Sequence, residues 1–131
     1  MSRPIVNGKH LKCWNVFPEF HAGRMIYLYA LGLQDGRTKI GITRYPRGRM
    51  SSHSTKTRPL AWVHLFAPQP HSRAYAIERK ACLFAERHSE RLHPHIEWFK
   101  ELSKKDAIAA VRDAEVVVLQ RQAVRQALEQ A

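Results

Sequence analysis

The chain has 131 residues, a length that fits one domain with its own hydrophobic core. It contains no stretch of about 18 to 20 apolar residues, which excludes a membrane span, and no apolar block of the kind that predicts a signal peptide. Two cysteines without a CxxC pair argue against a disulfide framework or a zinc knuckle. The net charge of +11 favours a nucleic acid or another polyanion as partner, with a solvated basic surface as the alternative.

Residues 1–24 precede the first predicted strand. They contain Trp14, Phe17 and Phe20, but Pro18 argues against a regular helix here. We expect an extension whose aromatic side chains pack against the domain. An arm that stacks on nucleic-acid bases is the alternative.

A β-hairpin is the best-defined element of the chain. Residues 25–31 are rich in Tyr, Leu and Ile and predict one strand, and residues 37–43 predict its partner. Gln34, Asp35 and Gly36 form a three-residue loop, in which Gly36 supplies the required positive φ.

The length of this loop sets the register of the hairpin. It places Tyr29 opposite Gly41 and Tyr27 opposite Thr43, and side chains alternate between the two faces of a sheet. One face then carries Tyr27, Tyr29, Lys39, Gly41 and Thr43. The other face carries Ile26, Leu28, Ile40 and Ile42, which are apolar and predict a core.

A short helix is predicted after the hairpin. Pro46 fits its first turn, and we expect it to run to about Thr55. Gly48 and three serines give it poor helix propensity, so tertiary packing must hold it. Arg49 and His53 lie four residues apart and therefore project from the same side.

Residues 60–67 are apolar on both faces and predict a third strand that is buried on both sides. Ser72 is the predicted N-cap of a second helix that extends to about residue 91. The buried stripe of this helix contains Ala74, Ile77, Ala81 and Phe84. Glu78 lies beside that stripe, near the edge of the core.

The last part of the chain predicts a short strand and a long helix. Residues 96–99 predict a strand or turn that packs Trp98 and Phe99 into the core. Ser103 followed by Asp106 resembles a capping box and opens a helix to about residue 129. Its predicted apolar stripe contains Ile108, Val111, Ala114, Val118 and Leu128.

These elements predict an α/β (α+β) fold. A small, mainly antiparallel, three-stranded central sheet is flanked by helices, with an extra helix at the C-terminus.

A long basic window ends at a single carboxylate. From Gly36 to Ile77 there is no Asp or Glu, and the next residue is Glu78. The basic residues of the window are Arg37, Lys39, Arg44, Arg47, Arg49, Lys56, Arg58 and Arg73. Such a window predicts a polyanion site with one metal ligand.

The order and spacing of these motifs resemble the GIY-YIG endonuclease superfamily. The likeness rests on the tyrosines of the first strand, the Lys39-Ile40-Gly41 run, a helix with Arg49 and a later helical Glu78. It is greatest to the small phage and bacterial branch whose second motif is KIG, where a Glu-Trp-Phe run like residues 97–99 is frequent. The resemblance implies an extension at 1–24, a GIY-YIG-like nuclease domain at 25–100 and a C-terminal helix at 101–131 that packs on it.

The resemblance implies a metal-dependent DNA endonuclease that hydrolyses phosphodiester bonds. Glu78 would hold Mg²⁺, or Mn²⁺ in its place, and a carboxylate with several waters is how Mg²⁺ is commonly bound. Arg49 would bind the non-bridging phosphate oxygens, which its planar fork fits.

The resemblance also implies a base that activates water. Tyr27 or Tyr29 would position or deprotonate the water, and Lys39 stands where the family has its second tyrosine. His53 is the alternative base, since its ordinary pKa of about 6.5 suits the task. The remaining basic residues would bind nucleic acid: Arg37, Arg44, Arg47, Lys56, Arg58 and Arg73.

Three departures from the family pattern keep other functions open. Lys39 replaces a tyrosine, the asparagine that follows the metal-binding Glu has no clear match, and Cys82 stands where the branch often has His. The alternative is a catalytically inactive nucleic-acid-binding module on the same fold, and a third hypothesis is a basic protein that binds an acidic protein. We expect DNA as partner, no membrane association, a monomer or weak homo-oligomer, and a cytoplasmic location in a bacterial or phage-infected cell.

Overall fold

The computed structural model describes residues 5–10, 25–53, 59–92 and 98–130. Seven strands and three helices lie within these ranges. In chain order they are β1 (Ile5–Val6), β2 (Lys9–His10), β3 (Met25–Leu33), β4 (Thr38–Thr43), α1 (Pro46–His53), β5 (Leu60–Leu65), β6 (Gln69–Pro70), α2 (His71–Ala85), β7 (Trp98–Phe99) and α3 (Lys104–Gln130).

The three long strands form the centre of the sheet in the order β5-β3-β4, and both pairings are antiparallel. Short strands extend this centre. β1 pairs parallel to β5, β2 pairs with β1, β7 pairs with β4, and β6 pairs with the start of β3. The predicted α+β class, with a mainly antiparallel sheet flanked by helices and a C-terminal helix, is confirmed.

The hairpin of β3 and β4 folds as its loop predicts. Gly36 has a φ of 98°, and the Leu33 amide donates to the Arg37 carbonyl at 2.8 Å. The observed register pairs Tyr29 with Gly41, as the three-residue loop requires. A Cβ atom at position 41 would lie 2.5 Å from the Tyr29 hydroxyl, so glycine is needed to let the ring lie across the partner strand.

The sheet buries one hydrophobic cluster on each of its faces. On the first, which we call the α2–α3 face, β3 and β4 pack against helices α2 and α3; its buried residues from β3 and β4 are Ile26, Leu28, Ala30 and Ile40. On the second, which we call the α1 face, Met50 of α1 packs against the sheet; its buried residues from β3 and β5 are Tyr29, Leu31, Leu33, Leu60 and Val63. The predicted alternation of the hairpin side chains is therefore confirmed.

Helix α1 is short and held by few residues. Pro46 and Met50 are its buried residues, and Met50 is fully buried. Met50 therefore supplies the tertiary packing that the poor helix propensity of this segment requires. The predicted continuation to about Thr55 lies partly in residues 54–58, which are outside the described ranges.

Helix α2 differs from its prediction at both ends. Ser72 is not the N-cap: Pro70 occupies that position with φ −54° and ψ 143° and no side-chain cap, because the chain enters the helix directly from β6. The helix ends at Ala85 and not near residue 91, since the next amides bond back to carbonyls of the last turn. The buried stripe is confirmed for Ala74, Ile77 and Ala81.

Helix α3 begins as predicted and extends beyond α2, the helix against which it packs. The Asp106 amide donates to the Ser103 hydroxyl at 3.1 Å, which confirms the N-terminal cap. Of the predicted apolar stripe, Val111, Ala114 and Val118 are buried and Ile108 is half-buried, whereas Leu128 is 72% exposed. At about 1.5 Å per residue, α3 is about 40 Å long and α2 only about 22 Å, so its end passes beyond the packing surface.

The described part of the N-terminal segment joins the sheet. Asn7, at the turn between β1 and β2, bonds through its side chain to both the amide and the carbonyl of Leu65. Trp14, Phe17 and Phe20 lie outside the described residues, so their packing and the predicted domain boundaries stay predictions. None of the described helices is long and apolar enough to cross a bilayer.

Candidate nucleic-acid site

Two of the predicted catalytic residues meet on the α1 face. The Tyr29 hydroxyl lies 3.3 Å from Nε2 of His53, the last residue of α1. β3 directs Tyr29 to this face, and Met50, one turn before His53, anchors the helix against the sheet. Tyr29 is only 1% exposed, whereas His53 is half-buried and therefore reaches solvent.

Trp98 connects the other members of the cluster. Its ring meets the His53 ring edge-on, with centroids 5.6 Å apart. The Lys39 ammonium and the Arg37 guanidinium lie 5.6 and 5.8 Å from its centroid, within cation–π range. Trp98 thus joins three predicted site residues and is half-buried at the surface.

The sequence placed Trp98 in the core and missed this role. The sequence did contain an indication of this surface position, because a short strand that contains Trp98 is expected to pair with an edge of the sheet. The structure pairs Trp98 with Lys39, which brings an indole next to a row of cations. An aromatic ring beside cations is also the composition of surfaces that bind single-stranded nucleic acid.

Arg37 is shared between the cluster and a local carboxylate. Its guanidinium donates to Asp35 from Nη2 at 2.6 Å and from Nε at 3.0 Å. This hydrogen bond, with the attraction of the Asp35 charge, raises the pKa of Arg37 above its ordinary value. Asp35 therefore competes with any phosphate for this guanidinium, and Arg37 contributes less to binding than its position suggests.

The remaining predicted residues near α1 stand in different environments. Arg44 and Arg49 are exposed, and Arg47 is half-buried. Arg49 precedes His53 by one turn of α1, so the two project from the same side. Tyr27 is buried two residue pairs further along the hairpin, opposite Thr43 and on the same face as Tyr29.

Two groups of predicted binding residues do not join this cluster. Arg73 lies on α2, where its Nε donates to the Gln122 side chain of α3 at 3.1 Å. Lys56 and Arg58 lie outside the described residues, so their binding role stays a prediction.

Glu78 lies on the other face of the sheet. It is 7% exposed and belongs to α2, whose buried side packs on the α2–α3 face, opposite to α1. Helix α2 also contacts β4, and among the described residues β7 pairs only with Thr38 and Lys39 of that strand. Glu78 and α1 therefore lie on opposite sides of the sheet.

The donor set at Glu78 fits a hard cation held by one carboxylate. Within the described ranges, no three or more His, Cys, Asp or Glu side chains gather as a metal site. Mg²⁺ commonly keeps several waters and takes only one or two carboxylates from the protein. A single buried carboxylate is thus compatible with Mg²⁺, and not with a site built wholly from side chains.

The structure is a small α+β domain with a basic, aromatic cluster on one face of its sheet. Residues 24–115 match the family model of the T5orf172 domain. Because the match spans most of the chain, the protein belongs to the T5orf172 domain family. This domain is found in nuclease-like proteins of phages and bacteria and is related to the GIY-YIG-like fold, although the GIY-YIG family itself is not matched.

The family indicates a nuclease-like or DNA-binding role. No curated protein and no solved structure matches the chain significantly.

Proposed function

We propose that this protein is a metal-dependent DNA endonuclease with a GIY-YIG-type site on the α1 face. The observation that carries the proposal is the contact between Tyr29 and His53, one helical turn from Arg49 and beside Lys39. Nucleophile activation and phosphate binding require these residue types within reach of one phosphate. The charge of +11 supports a polyanionic substrate.

The geometry favours His53 over Tyr29 as the base. The attacking water must reach the base, and the half-buried His53 is accessible, whereas Tyr29 is almost fully enclosed. Tyr29 then acts as a positioning residue, whose hydroxyl fixes the orientation of the imidazole through Nε2. His53 takes a proton from the water onto its unprotonated ring nitrogen, which is Nδ1 when the Nε2–H group donates to the Tyr29 hydroxyl.

Arg49 and Lys39 supply the positive charge around the phosphate. The Arg49 fork binds two non-bridging oxygens and stabilises the charge that grows as the water oxygen bonds to phosphorus. The bond from phosphorus to the leaving oxygen then breaks, that oxygen takes a proton from solvent, and His53 returns its proton to solvent. Glu78 would hold Mg²⁺ or Mn²⁺, which when bound supplies Lewis-acid stabilisation of the leaving oxygen.

The position of Glu78 constrains this site. Because α1 and α2 cover opposite faces, a site that uses both Arg49 and Glu78 requires the phosphate to lie at an edge of the sheet, and we propose the start of β3 and the end of β4. Tyr27 and Thr43, which face each other at these ends, would then line the substrate.

A non-catalytic nucleic-acid-binding module is the second candidate. It is favoured by the enclosure of Tyr29 and by the separation of Glu78 from α1 by the sheet. On this hypothesis the cluster around Trp98 binds a strand and no bond is broken.

Nicking of supercoiled plasmid DNA with Mg²⁺ decides between them. We expect the wild type to nick and His53→Gln to lose about a hundredfold or more in rate, the usual contribution of a general base. Glu78→Gln should lose nicking because it removes the carboxylate that would hold the metal ion. Binding measured in EDTA should persist in both variants. His88→Gln and Glu90→Gln, at exposed positions after α2, are the matched controls and should nick normally.

Each other outcome points to a definite conclusion. Unimpaired nicking by His53→Gln would remove His53 from the mechanism, and unimpaired nicking by Glu78→Gln would remove the carboxylate. Salt-sensitive DNA binding by the wild type without nicking would favour the binding module.

A further inference from the structure

A second basic surface lies between the two long helices. A groove of about 620 Å³ runs between α2 and α3, on the side of the molecule that carries these helices and away from α1. Ala76 and Val118 lie among its small apolar lining residues. None of its lining residues belongs to the cluster around Tyr29 and His53.

Cations line the groove from both helices. Arg79 and Lys80 come from α2, and Arg121 and Arg125 come from α3, where their spacing of four places them on one side of the helix. Among the described residues that line the groove, none carries a carboxylate. The groove is therefore positively charged on both of its walls, one formed by α2 and the other by α3.

The guanidinium of Arg79 is held in place before any ligand binds. It donates from Nη1 to the Tyr75 hydroxyl at 3.1 Å and lies 5.7 Å from the centre of the Tyr75 ring. The Tyr75 ring is in turn nearly parallel to the His71 ring, at 9°. Because Arg79 is already oriented, less side-chain entropy is lost when it binds a phosphate.

A hydrogen bond connects the two helices beside the groove. The hydrogen bond from Arg73 to Gln122 links α2 to α3, and Gln122 itself lines the groove. The separation of the two cationic walls is thus fixed by contacts between the helices. A fixed separation favours a ligand of uniform width and regularly repeated charge.

We propose that this groove binds one sugar-phosphate strand of single-stranded DNA, with phosphates contacted from both walls. Arginine forks match phosphate oxygens, and a strand offers one negative charge per nucleotide to both walls. An acidic amphipathic helix fits less well, since it presents charge on one side only, whereas the groove has cations on both walls. The inference extends the proposed function, because a strand held here is bound on the opposite side of the sheet from Arg49.

Binding of a short labelled oligothymidylate in EDTA tests the proposal. The groove variant is Arg79→Gln/Arg121→Gln/Arg125→Gln, and the control is Lys9→Gln/Lys105→Gln/Arg112→Gln, at exposed positions elsewhere. Each removes three positive charges from the +11 of the chain, so long-range attraction is matched. We expect the groove variant to bind about tenfold more weakly or worse, and its salt slope to fall by about 2, at about 0.7 per lost phosphate contact.

The control variant should retain the affinity and slope of the wild type, and the circular dichroism of both variants should show the native fold. Equal weakening of groove and control variants would overturn the proposal, because net charge alone would then explain binding. Displacement of the oligonucleotide by polyglutamate at equal charge concentration would also overturn the proposal. Groove-dependent binding in a protein that never nicks plasmid would sustain this inference while the cleavage proposal failed.

Discussion

The two faces of the sheet are built in different ways. The α2–α3 face is covered by helices of 15 and 27 residues and buries an almost wholly apolar cluster. The α1 face is covered by a helix of eight residues with one fully buried side chain, Met50. The long helices stabilise the fold, whereas the short helix leaves an imidazole, a lysine and an indole partly accessible at the surface.

Glu78 is a charged residue on the α2–α3 face, which is otherwise almost wholly apolar. It is a carboxylate buried on the stabilising side, next to apolar residues of α2. A buried charge is costly unless it has partners, so its presence on this side requires an interaction.

Truncation of Leu28, at the centre of the α2–α3 face, should have the largest effect. Leu28 is fully buried, so Leu28→Ala should lower the free energy of unfolding by about 2–5 kcal/mol, through lost burial and the cavity left behind. Leu83→Ala, at an exposed position of α2, should change it by less than about 0.5 kcal/mol. Urea denaturation measures both, and similar losses would show that this face is not the stabilising one.

Gly41→Ala should have the next largest effect, on the α1 face. The added methyl group would meet the Tyr29 hydroxyl, so the ring must shift at a cost of about 1–3 kcal/mol, and its contact with His53 should be lost. Gly48→Ala in α1 has open space and should instead stabilise the protein by about 0.4–1 kcal/mol. If both variants have the same unfolding free energy, the close approach of Tyr29 to β4 is incorrect.

The cap of α3 should contribute less. Ser103→Ala removes the acceptor for the Asp106 amide and should lower the free energy of unfolding by about 1 kcal/mol. Ser103→Asp should restore most of this loss, because aspartate accepts the same bond. Thermal unfolding measures the pair, and an unaffected Ser103→Ala protein would show that the cap is not used.

The smallest expected effect concerns pH. Burial lowers the pKa of His64 on β5 below its ordinary 6.5, and the nearby charges of Arg112 and Lys104 on α3 act in the same direction. The unfolded chain then binds this proton more readily, so the contribution of His64 to stability is present above about pH 6.5 and is lost as pH falls below it. His64→Gln should show a smaller loss of unfolding free energy on acidification than the wild type.

His71→Gln, at an exposed position of α2, should retain the wild-type pH dependence. A steeper dependence in His64→Gln than in the wild type would contradict the lowered pKa.

Local chemistry made the hairpin predictable. A three-residue loop that ends in Gly36 and strands that alternate in polarity determine the register without knowledge of the rest of the chain. The cap at Ser103 was predictable for the same reason. In each case the decisive contacts join residues that are close in sequence.

Tertiary contacts limited the other predictions. Ser72 was predicted as the N-cap of α2 from the sequence alone. In the structure, β6 pairs with β3 and α2 begins at His71, directly after β6. Helical periodicity placed Leu128 on the correct stripe but gave no information on where the partner helix ends. Neither the face of the sheet that α2 covers nor the contact of Trp98 with His53 can be read from spacing, because both depend on distant pairings.

The central claim is that His53 and Glu78 serve one site from opposite faces of the sheet. Proton NMR of the imidazole resonances during titration with Mn²⁺ tests it most directly, because a bound paramagnetic ion broadens signals only in its vicinity. We predict that the His53 signals broaden in the wild type and stay sharp in Glu78→Gln, while the signals of His88 are unaffected in both. Sharp His53 signals in a wild-type protein that nicks DNA with Mn²⁺, or equal broadening in Glu78→Gln, would contradict the shared site.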